Sequence, residues 1–218
     1  MLFLLTGDVQ IGKTRWLENL CASLQAAGTC VAGVVAPGQW VPRPEGQPGG
    51  KHGFDGAGRF EKLGIDNVLL PQGERIEFAR RRDLAAGGKA FAEGTQAKAA
   101  KLGWGISDTA IAQVNAHFAT LAKQAANETR LTPHAMLVVD ELGRLELLRG
   151  CGLTNALAIL DAGPTPQFPH AIAVVRETLL DEARRRFEPR WGKVTVIGPD
   201  DAARNLVLET ARAAGGAH

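Results

Sequence analysis

Two glycines, a lysine and a threonine stand close together near the start of the chain, in the stretch GDVQIGKT at positions 7–14. The stretch fits the pattern GxxxxGK followed by Ser or Thr, in which the glycines let the backbone curl so that several N–H groups converge on one anion. A lysine at this position reaches the outer phosphates of a nucleotide, and the next hydroxyl binds Mg²⁺ together with phosphate oxygens. We therefore predict a phosphate-binding loop (Walker A), with Lys13 as a catalytic cation and Thr14 as a metal ligand.

The nucleotide-binding residues that this motif predicts form one continuous segment. They are Gly7, Asp8, Val9, Gln10, Ile11, Gly12, Lys13, Thr14 and Arg15. The apolar run 2–5 before the motif is typical of a buried strand, and the leucine spacing after it is typical of an amphipathic helix. The positive end of that helix would point at the bound phosphates.

A phosphate-binding loop also needs an acidic residue elsewhere in the chain to hold the metal. The apolar run 137–139 leads into two such residues, Asp140 and Glu141. A carboxylate at the carboxyl end of a buried strand can orient Mg²⁺, so we predict that this run is Walker B and that Asp140 is a metal ligand. Many hydrolytic P-loop proteins use the next carboxylate to orient and polarise the attacking water. We therefore predict that Glu141 is catalytic; the alternative is that it only begins a solvated turn.

Three arginines near the expected strand ends, Arg144, Arg149 and Arg176, are candidates for stabilising charge in the transition state. Solvation at the surface is the more common role of such residues, and we predict a catalytic role only for Arg176. Trp104, between two glycines, is a candidate for stacking on a nucleotide base, although an aromatic residue in such a loop more often packs.

Composition limits the classes of function. The 218 residues, 45% of them hydrophobic, are enough to bury one sizeable core, so we predict a single domain over 1–218. The 25 basic and 23 acidic side chains leave a formal charge of +2, which argues against a nucleic-acid or membrane-surface binder. Three widely spaced cysteines indicate neither a disulfide framework nor a metal site. Without a recognisable signal peptide or membrane span, we expect a cytoplasmic protein.

Apolar runs alternate with amphipathic stretches along most of the chain. This pattern predicts an α/β fold, a mostly parallel sheet flanked by helices. The predicted strands are 2–5, 31–37, 135–139, 171–175 and 194–197, and the predicted helices are 14–24, 107–127, 153–160, 179–187 and a last one from about 201.

The region 37–105 interrupts this alternation and is predicted to be an insertion within the domain. Its first part, 37–50, holds four prolines and four glycines, which predicts a mobile loop that forms neither a regular helix nor a central strand. Short apolar patches separated by turn residues predict a β-meander over 51–82. The stretch 85–105 has no clear period.

With these motifs in place, the chain resembles the small P-loop nucleoside-triphosphatase family of the cancer-related nucleoside triphosphatase type. The family's Walker B region has the form Asp-Glu-Ile/Leu-Gly-x-Met/Leu-Glu. The matching residues here are Asp140, Glu141, Leu142, Gly143, Leu145 and Glu146. The resemblance implies Mg²⁺-dependent hydrolysis of ATP or other nucleoside triphosphates with broad base tolerance. It also implies an α/β core in which another strand separates the phosphate-loop strand from the Asp140 strand.

Three functions fit these residues. The first is a nucleoside-triphosphate phosphohydrolase that cleaves the β–γ phosphoanhydride bond. The second is a P-loop kinase that passes the γ-phosphate to a small acceptor, and the third is a nucleotide-dependent adaptor in cofactor assembly or transport. Because a carboxylate at Glu141 is suited to activating water, it favours the hydrolase over the kinase, and we predict the hydrolase. The sequence indicates neither a protein partner nor a preferred base.

Overall fold

The computed structural model describes residues 1–9, 11–42, 60–81, 94–96, 104–126 and 135–215. The strands are β1 (Leu2–Leu5), β2 (Val31–Val35), β3 (Gly38–Pro42), β4 (Phe60–Leu70), β5 (Glu74–Arg81), β6 (Trp104–Ile106), β7 (Met136–Leu142), β8 (His170–Val175) and β9 (Val194–Ile197). The main helices are α1 (Lys13–Ala26), α2 (Asp108–Ala126), α3 (Arg144–Arg149), α4 (Thr154–Ala162), α5 (Leu180–Trp191) and α6 (Asp201–Gly215).

The described strands form one sheet in the order β6-β5-β4-β2-β7-β8-β1-β9, and β3 pairs with β4 beside this path. Strands β2, β7, β8, β1 and β9 are parallel to one another and form the parallel half. Strands β3, β4, β5 and β6 pair antiparallel and form the antiparallel half, which joins the parallel half where β4 meets β2. The fold is therefore mixed α/β. Strand β8 separates β1 from β7, as the resemblance implies.

Helices cover both faces of the parallel half. On one face, Leu17 and Leu20 of α1 pack with Val207 of α6. On the other face, Phe118 of α2 and Phe187 of α5 belong to one large apolar cluster with residues of α4. All side chains of β1 and β2 are buried, which explains why these strands consist of continuous apolar runs and do not alternate with polar residues.

The carboxyl ends of the parallel strands meet at one edge of the sheet, where α/β proteins generally bind ligands. At this edge β1 leads into the 7–14 loop, and α1 begins at Lys13 directly after it. Strand β7 ends with 140–142, and β8 leads to Arg176. The sheet topology therefore gathers positions that lie far apart in the sequence.

The antiparallel half corrects one prediction and supports another. The segment 37–50 was predicted to be a mobile loop, but Gly38–Pro42 forms strand β3 on β4. A strand that has a partner on one side only can include Pro42 at its end, because a missing N–H there need not break the ladder. The rest of that segment lies outside the described residues. In the described part of the meander predicted over 51–82, β4 and β5 form a hairpin, and 51–59 and 82 lie outside the described residues. Strand β6 adds a short strand at 104–106.

Two local differences lie next to the predicted Walker B run. Strand β7 continues through Asp140 and Glu141 to Leu142, whereas the apolar run predicted its end at 139. A short helix, α3, follows immediately, although its six residues were too few to give a helical period in the sequence.

No helix in the described ranges combines the length and the apolar character that crossing a lipid bilayer requires.

Candidate functional site

The 7–14 loop needs its glycines for backbone conformation. Gly7 has a φ of 136° and Gly12 a φ of 97°, both in the region that side chains of L-residues disfavour. A Cβ on Gly12 would meet nothing within 4 Å, so the dihedral angle, and not lack of space, explains glycine there. Gln10 lies outside the described residues.

The Lys13 ammonium folds back over this loop. Its Nζ donates hydrogen bonds to the carbonyl oxygens of Gly7 and Asp8, both at 2.7 Å. Burial lowers the Lys13 pKa, while the carboxylates of Glu141 and Asp140 act in the opposite direction. The cation of the loop and the two acids of β7 therefore share one electrostatic environment.

Asp140 is a buried carboxyl group near the carboxyl end of β7. Its side chain is 1% exposed, and its Oδ2 accepts a hydrogen bond of 2.9 Å from the Ala36 N–H at the end of β2. Its Oδ1 is buried and has no hydrogen-bond partner among the described residues. Burial raises the Asp140 pKa to about 7 and the charge of Glu141 adds to this effect, while the Ala36 N–H and the Thr14 hydroxyl oppose it. A buried oxygen without a protein partner calls for a ligand such as a water molecule or an ion.

Glu141 has the opposite environment. Its φ of 66° is in the left-handed region, and the β7–β8 pairing shifts register between Val139 and Leu142. Such an irregularity can turn a side chain out of its strand, and a left-handed residue other than glycine costs ~1–2 kcal/mol. The Glu141 side chain is 44% exposed. Of the two adjacent acids, Asp140 is therefore buried and Glu141 is exposed to solvent.

Arg176 lies beside Glu141. Its Nη2 is 3.9 Å from the Glu141 Oε1, and its positive charge also acts on Lys13. Arg176 is exposed, as is Arg15 in the first turn of α1. Arg144 and Arg149, for which surface solvation is the expected role, are exposed on α3. In the 7–14 loop, Asp8 is exposed, and Val9 and Ile11 expose 76% and 52% of their surface. That exposure leaves the described tip of the loop uncovered.

Glu146 supports the backbone next to the two acids. Its Oε2 accepts the Gly143 N–H at 2.9 Å, just before α3, and its Oε1 accepts the Leu153 N–H at 3.0 Å, after the turn that follows α3. One carboxyl group thus connects the backbone on the two sides of this helix. Gly152 leaves the space that this carboxyl group needs, since a Cβ there would lie 2.0 Å from Oε1. Burial raises the Glu146 pKa. The last acid of the DELGRLE stretch is therefore structural.

Three residues near this edge were not predicted from the sequence. Ala36 contributes a backbone N–H, which no sequence pattern reveals. Asn67 on β4 is 2% exposed, and its Nδ2 is buried without a hydrogen-bond partner among the described residues. The sequence did contain a signal for Asn67, because the polar pair Asp66-Asn67 interrupts an apolar strand. Lys62, also on β4, favours the ionised form of Asp140 through its charge.

The opposite side of the 7–14 loop is closed by the turn after β9. The Trp16 Nε1 of α1 donates a hydrogen bond of 3.1 Å to the Asp200 carbonyl oxygen. Asp200 in turn accepts the Ala203 N–H at 2.8 Å through its Oδ1 and so caps α6. Elements of β7 and β9 thus flank the loop on its two sides.

No group of three or more His, Cys, Asp or Glu side chains that could cage a metal is present among the described residues. No protein-family model matches the chain, and no curated protein matches it. A solved human protein described as a cancer-related nucleoside triphosphatase has a similar structure, with a TM-score of 0.49 and 20% sequence identity over 99% of this chain and 96% of that one. At that similarity the comparison assigns no family and no activity to this chain.

Proposed function

We propose that this protein is a Mg²⁺-dependent nucleoside-triphosphate phosphohydrolase that cleaves the β–γ phosphoanhydride bond. The observation that carries the proposal is the contrast between two adjacent acids beside a loop lysine. Asp140 is buried and its Oδ1 has no hydrogen-bond partner among the described residues, whereas Glu141 is exposed in a strained backbone conformation. Metal binding and water activation need this difference, because a metal ligand must be fixed and a base must reach water.

The oxygen donors fit Mg²⁺. This ion prefers oxygen ligands and is usually bound by one or two protein groups together with phosphate oxygens and water, so it needs no cage of acids. In our proposal the Thr14 hydroxyl and the Asp140 Oδ1 hold it. When bound, Mg²⁺ would neutralise charge on the outer phosphates.

The remaining roles follow from charge and reach. Lys13 would exchange its bonds to the Gly7 and Asp8 carbonyls for the phosphates, whose oxygens are stronger acceptors for a cation. The backbone N–H groups of the 7–14 loop and the first turn of α1 would bind the phosphates, as the loop pattern predicts. Glu141 would take a proton from the attacking water at its exposed carboxylate. Arg176, 3.9 Å from Glu141, would stabilise charge on the transferred phosphoryl group.

Phosphate release by the purified protein tests this proposal directly. We expect release from ATP, GTP, CTP and UTP in the presence of Mg²⁺, with no release in excess EDTA, because the proposed contacts involve the phosphates and not the base. Release from none of the four would contradict the proposal. Phosphate transfer to an added small acceptor without any release to water would replace it with the kinase.

A further inference from the structure

Two indole rings and an ammonium group meet on the antiparallel half. Trp40 of β3, Lys62 of β4 and Trp104 of β6 form what we call the tryptophan–lysine cluster. The Lys62 Nζ lies 5.9 Å from the ring centroid of Trp40 and 5.6 Å from that of Trp104, within cation–π distance of both. All three side chains are partly exposed. None of the described residues accepts a hydrogen bond from the Lys62 ammonium.

The strand register holds this cluster together. Trp40 and Lys62 are cross-strand partners on β3 and β4, where neighbouring side chains touch. Gly38 allows the close approach, because a Cβ there would lie 2.7 Å from the Lys62 Cε and 2.8 Å from the Trp40 Nε1. The lysine is therefore seated against the indole by the architecture of the strand pair.

Two independent observations place the cluster beside the candidate site. Trp104 packs against an apolar group that includes Ala36 and Leu145. Ala36 donates its N–H to Asp140, and Leu145 lies in the first turn of α3, which follows β7. The positive charge of Lys62 also acts on Asp140. The cluster thus lies on the side of β7 that faces away from β1.

This position matters for the orientation of the nucleotide, and here the inference rests on the proposed function. The terminal phosphate would lie at Asp140 and Glu141. The nucleoside, at the other end of the triphosphate, would then extend away from β7 towards β9 and the turn at Asp200. The cluster would therefore face the terminal phosphate and not the base.

We propose that the tryptophan–lysine cluster binds a second small molecule, one with a flat aromatic or heteroaromatic ring and an anionic group such as a carboxylate or phosphate. The ring stacks on the indole faces, and the anion pairs with the partly exposed Lys62 ammonium. This arrangement uses the aromatic surface and the charge together, so a ligand must supply both features.

Indole N–H signals in NMR spectra test the proposal on the full chain without nucleotide. The sequence has four tryptophans, which can be assigned by single Trp→Phe variants. Trp16 and Trp191 are internal controls, because their Nε1 groups donate to the carbonyl oxygens of Asp200 and Leu160, away from the cluster. We expect 2-naphthoate to shift the Trp40 and Trp104 signals while the other two stay in place.

Two matched probes separate the ring from the charge. Neutral 2-naphthamide keeps the fused ring, and cyclohexanecarboxylate keeps the anion without an aromatic face. We expect each to bind ~10-fold more weakly than 2-naphthoate, the effect of losing one favourable interaction of about 1.4 kcal/mol. Equal affinities for 2-naphthoate and 2-naphthamide would overturn the proposal.

Lys62→Met keeps the apolar stem and removes the charge. It should weaken 2-naphthoate binding ~10-fold and leave 2-naphthamide unchanged, whereas Lys193→Met, at an exposed lysine before β9, should change neither. Unshifted Trp16 and Trp191 signals would show that the variant is folded. If Lys62→Met does not fold, Lys62→Arg keeps the charge and should bind 2-naphthoate within ~3-fold of the parent. Loss of binding in a folded Lys62→Arg protein would count against the proposal.

Titration with a non-hydrolysable ATP analogue and Mg²⁺ supplies the remaining outcome. If the analogue displaces 2-naphthoate and produces the same Trp40 and Trp104 shifts, the cluster binds the nucleotide base and the proposal is wrong. Binding of 2-naphthoate is measured without hydrolysis. A protein that binds 2-naphthoate but releases no phosphate would therefore refute the proposed hydrolase and leave the second site standing.

Discussion

The two halves of the sheet solve different physical problems. In the parallel half, β1 and β2 are buried on both faces, and the candidate reactive groups lie where the strands end. In the antiparallel half, β5 alternates between exposed and buried positions, and ion pairs lie within the ladder, Arg81–Glu61 at 2.6 Å and Arg75–Asp66 at 2.9 Å. One half is held by apolar burial on both sides, and the other also relies on polar cross-strand pairs.

The difference indicates where each half can carry function. A core buried on both faces fixes the backbone closely, and the chemistry of phosphoryl transfer depends mostly on fixed positions. A half-exposed sheet can change its outward side chains with little effect on the core, which suits the recognition of a ligand. We therefore expect the chemistry to depend on the parallel half and the choice of a second ligand to depend on the antiparallel half.

The largest expected effect is on the pH dependence of the free energy of unfolding of the ligand-free protein, because the parallel half buries Asp140. Its pKa rises from an ordinary 3.8 to about 7, so the folded chain binds this proton more tightly than the unfolded chain does. The resulting stability is present in full below the ordinary pKa and is lost as the pH rises through about 7. The loss in free energy of unfolding should be on the order of 4 kcal/mol, measured by urea unfolding in EDTA.

Asp140→Asn is the control for this prediction. The amide keeps the shape and the hydrogen bond from Ala36 but has no proton to lose, so its unfolding free energy should fall much less over the same pH range. Burial also raises the pKa of Glu146, but that group is common to both proteins and cancels in the difference. Parallel stability curves for the parent and Asp140→Asn would show that Asp140 is not the source.

A pair of glycine variants compares the two halves directly. Gly33 in β2 has a φ of 124°, and a Cβ there would lie 1.9 Å from the Val138 carbonyl oxygen of β7. Gly33→Ala should therefore destabilise the protein by at least ~3 kcal/mol through overpacking and backbone strain. Gly73, in the β4–β5 turn, has a φ of 75° but open space, so Gly73→Ala should cost only ~1 kcal/mol. Equal losses in thermal unfolding would mean that the parallel half is not the more rigid one.

Lys13→Ala should remove the chemistry of the parallel half without disturbing the antiparallel half. Loss of one well-placed cationic donor should lower the rate of phosphate release ~10²–10³-fold, or about 3 kcal/mol. The thermal unfolding midpoint and the 2-naphthoate shifts should stay near those of the parent. Lys193→Ala removes an exposed lysine elsewhere and should retain full activity. Phosphate release by Lys13→Ala at the parental rate would exclude the proposed role of Lys13.

The smallest of these expected effects distinguishes the proposed roles of the adjacent residues Asp140 and Glu141. Glu141→Gln keeps the shape and removes the charge, so it should keep its affinity for a Mg²⁺–nucleotide analogue and lose ~10²-fold in rate. Asp140→Asn should lose both, since it removes the proposed metal ligand. Calorimetric titration with the analogue and a phosphate-release assay distinguish the two variants. An active Glu141→Gln protein would assign water activation to another group.

Local patterns in the sequence were enough for much of the fold. The apolar runs predicted β1 and β9 with their bounds, and Ser107-Asp108 predicted the start of α2, where the Ser107 hydroxyl accepts the Ala110 N–H at 3.2 Å. Strand β3 was not predicted, because the prolines and glycines of the segment 37–50 disfavour regular structure locally. Only pairing with β4, some twenty residues further along, makes it a strand.

The sequence by itself determined which groups are available: a loop with the glycines and lysine of the phosphate-binding pattern, and two acids at the end of an apolar run. It could not decide that Asp140 is buried and Glu141 exposed, because that contrast comes from a register shift against β8 and a φ of 66°. Nor could it show that Lys62 lies within reach of both Trp40 and Trp104, because the three residues belong to three separate strands. Residue types and short-range periodicity are properties of the chain alone, whereas burial, charge environment and contacts between distant strands arise only when the sheet assembles.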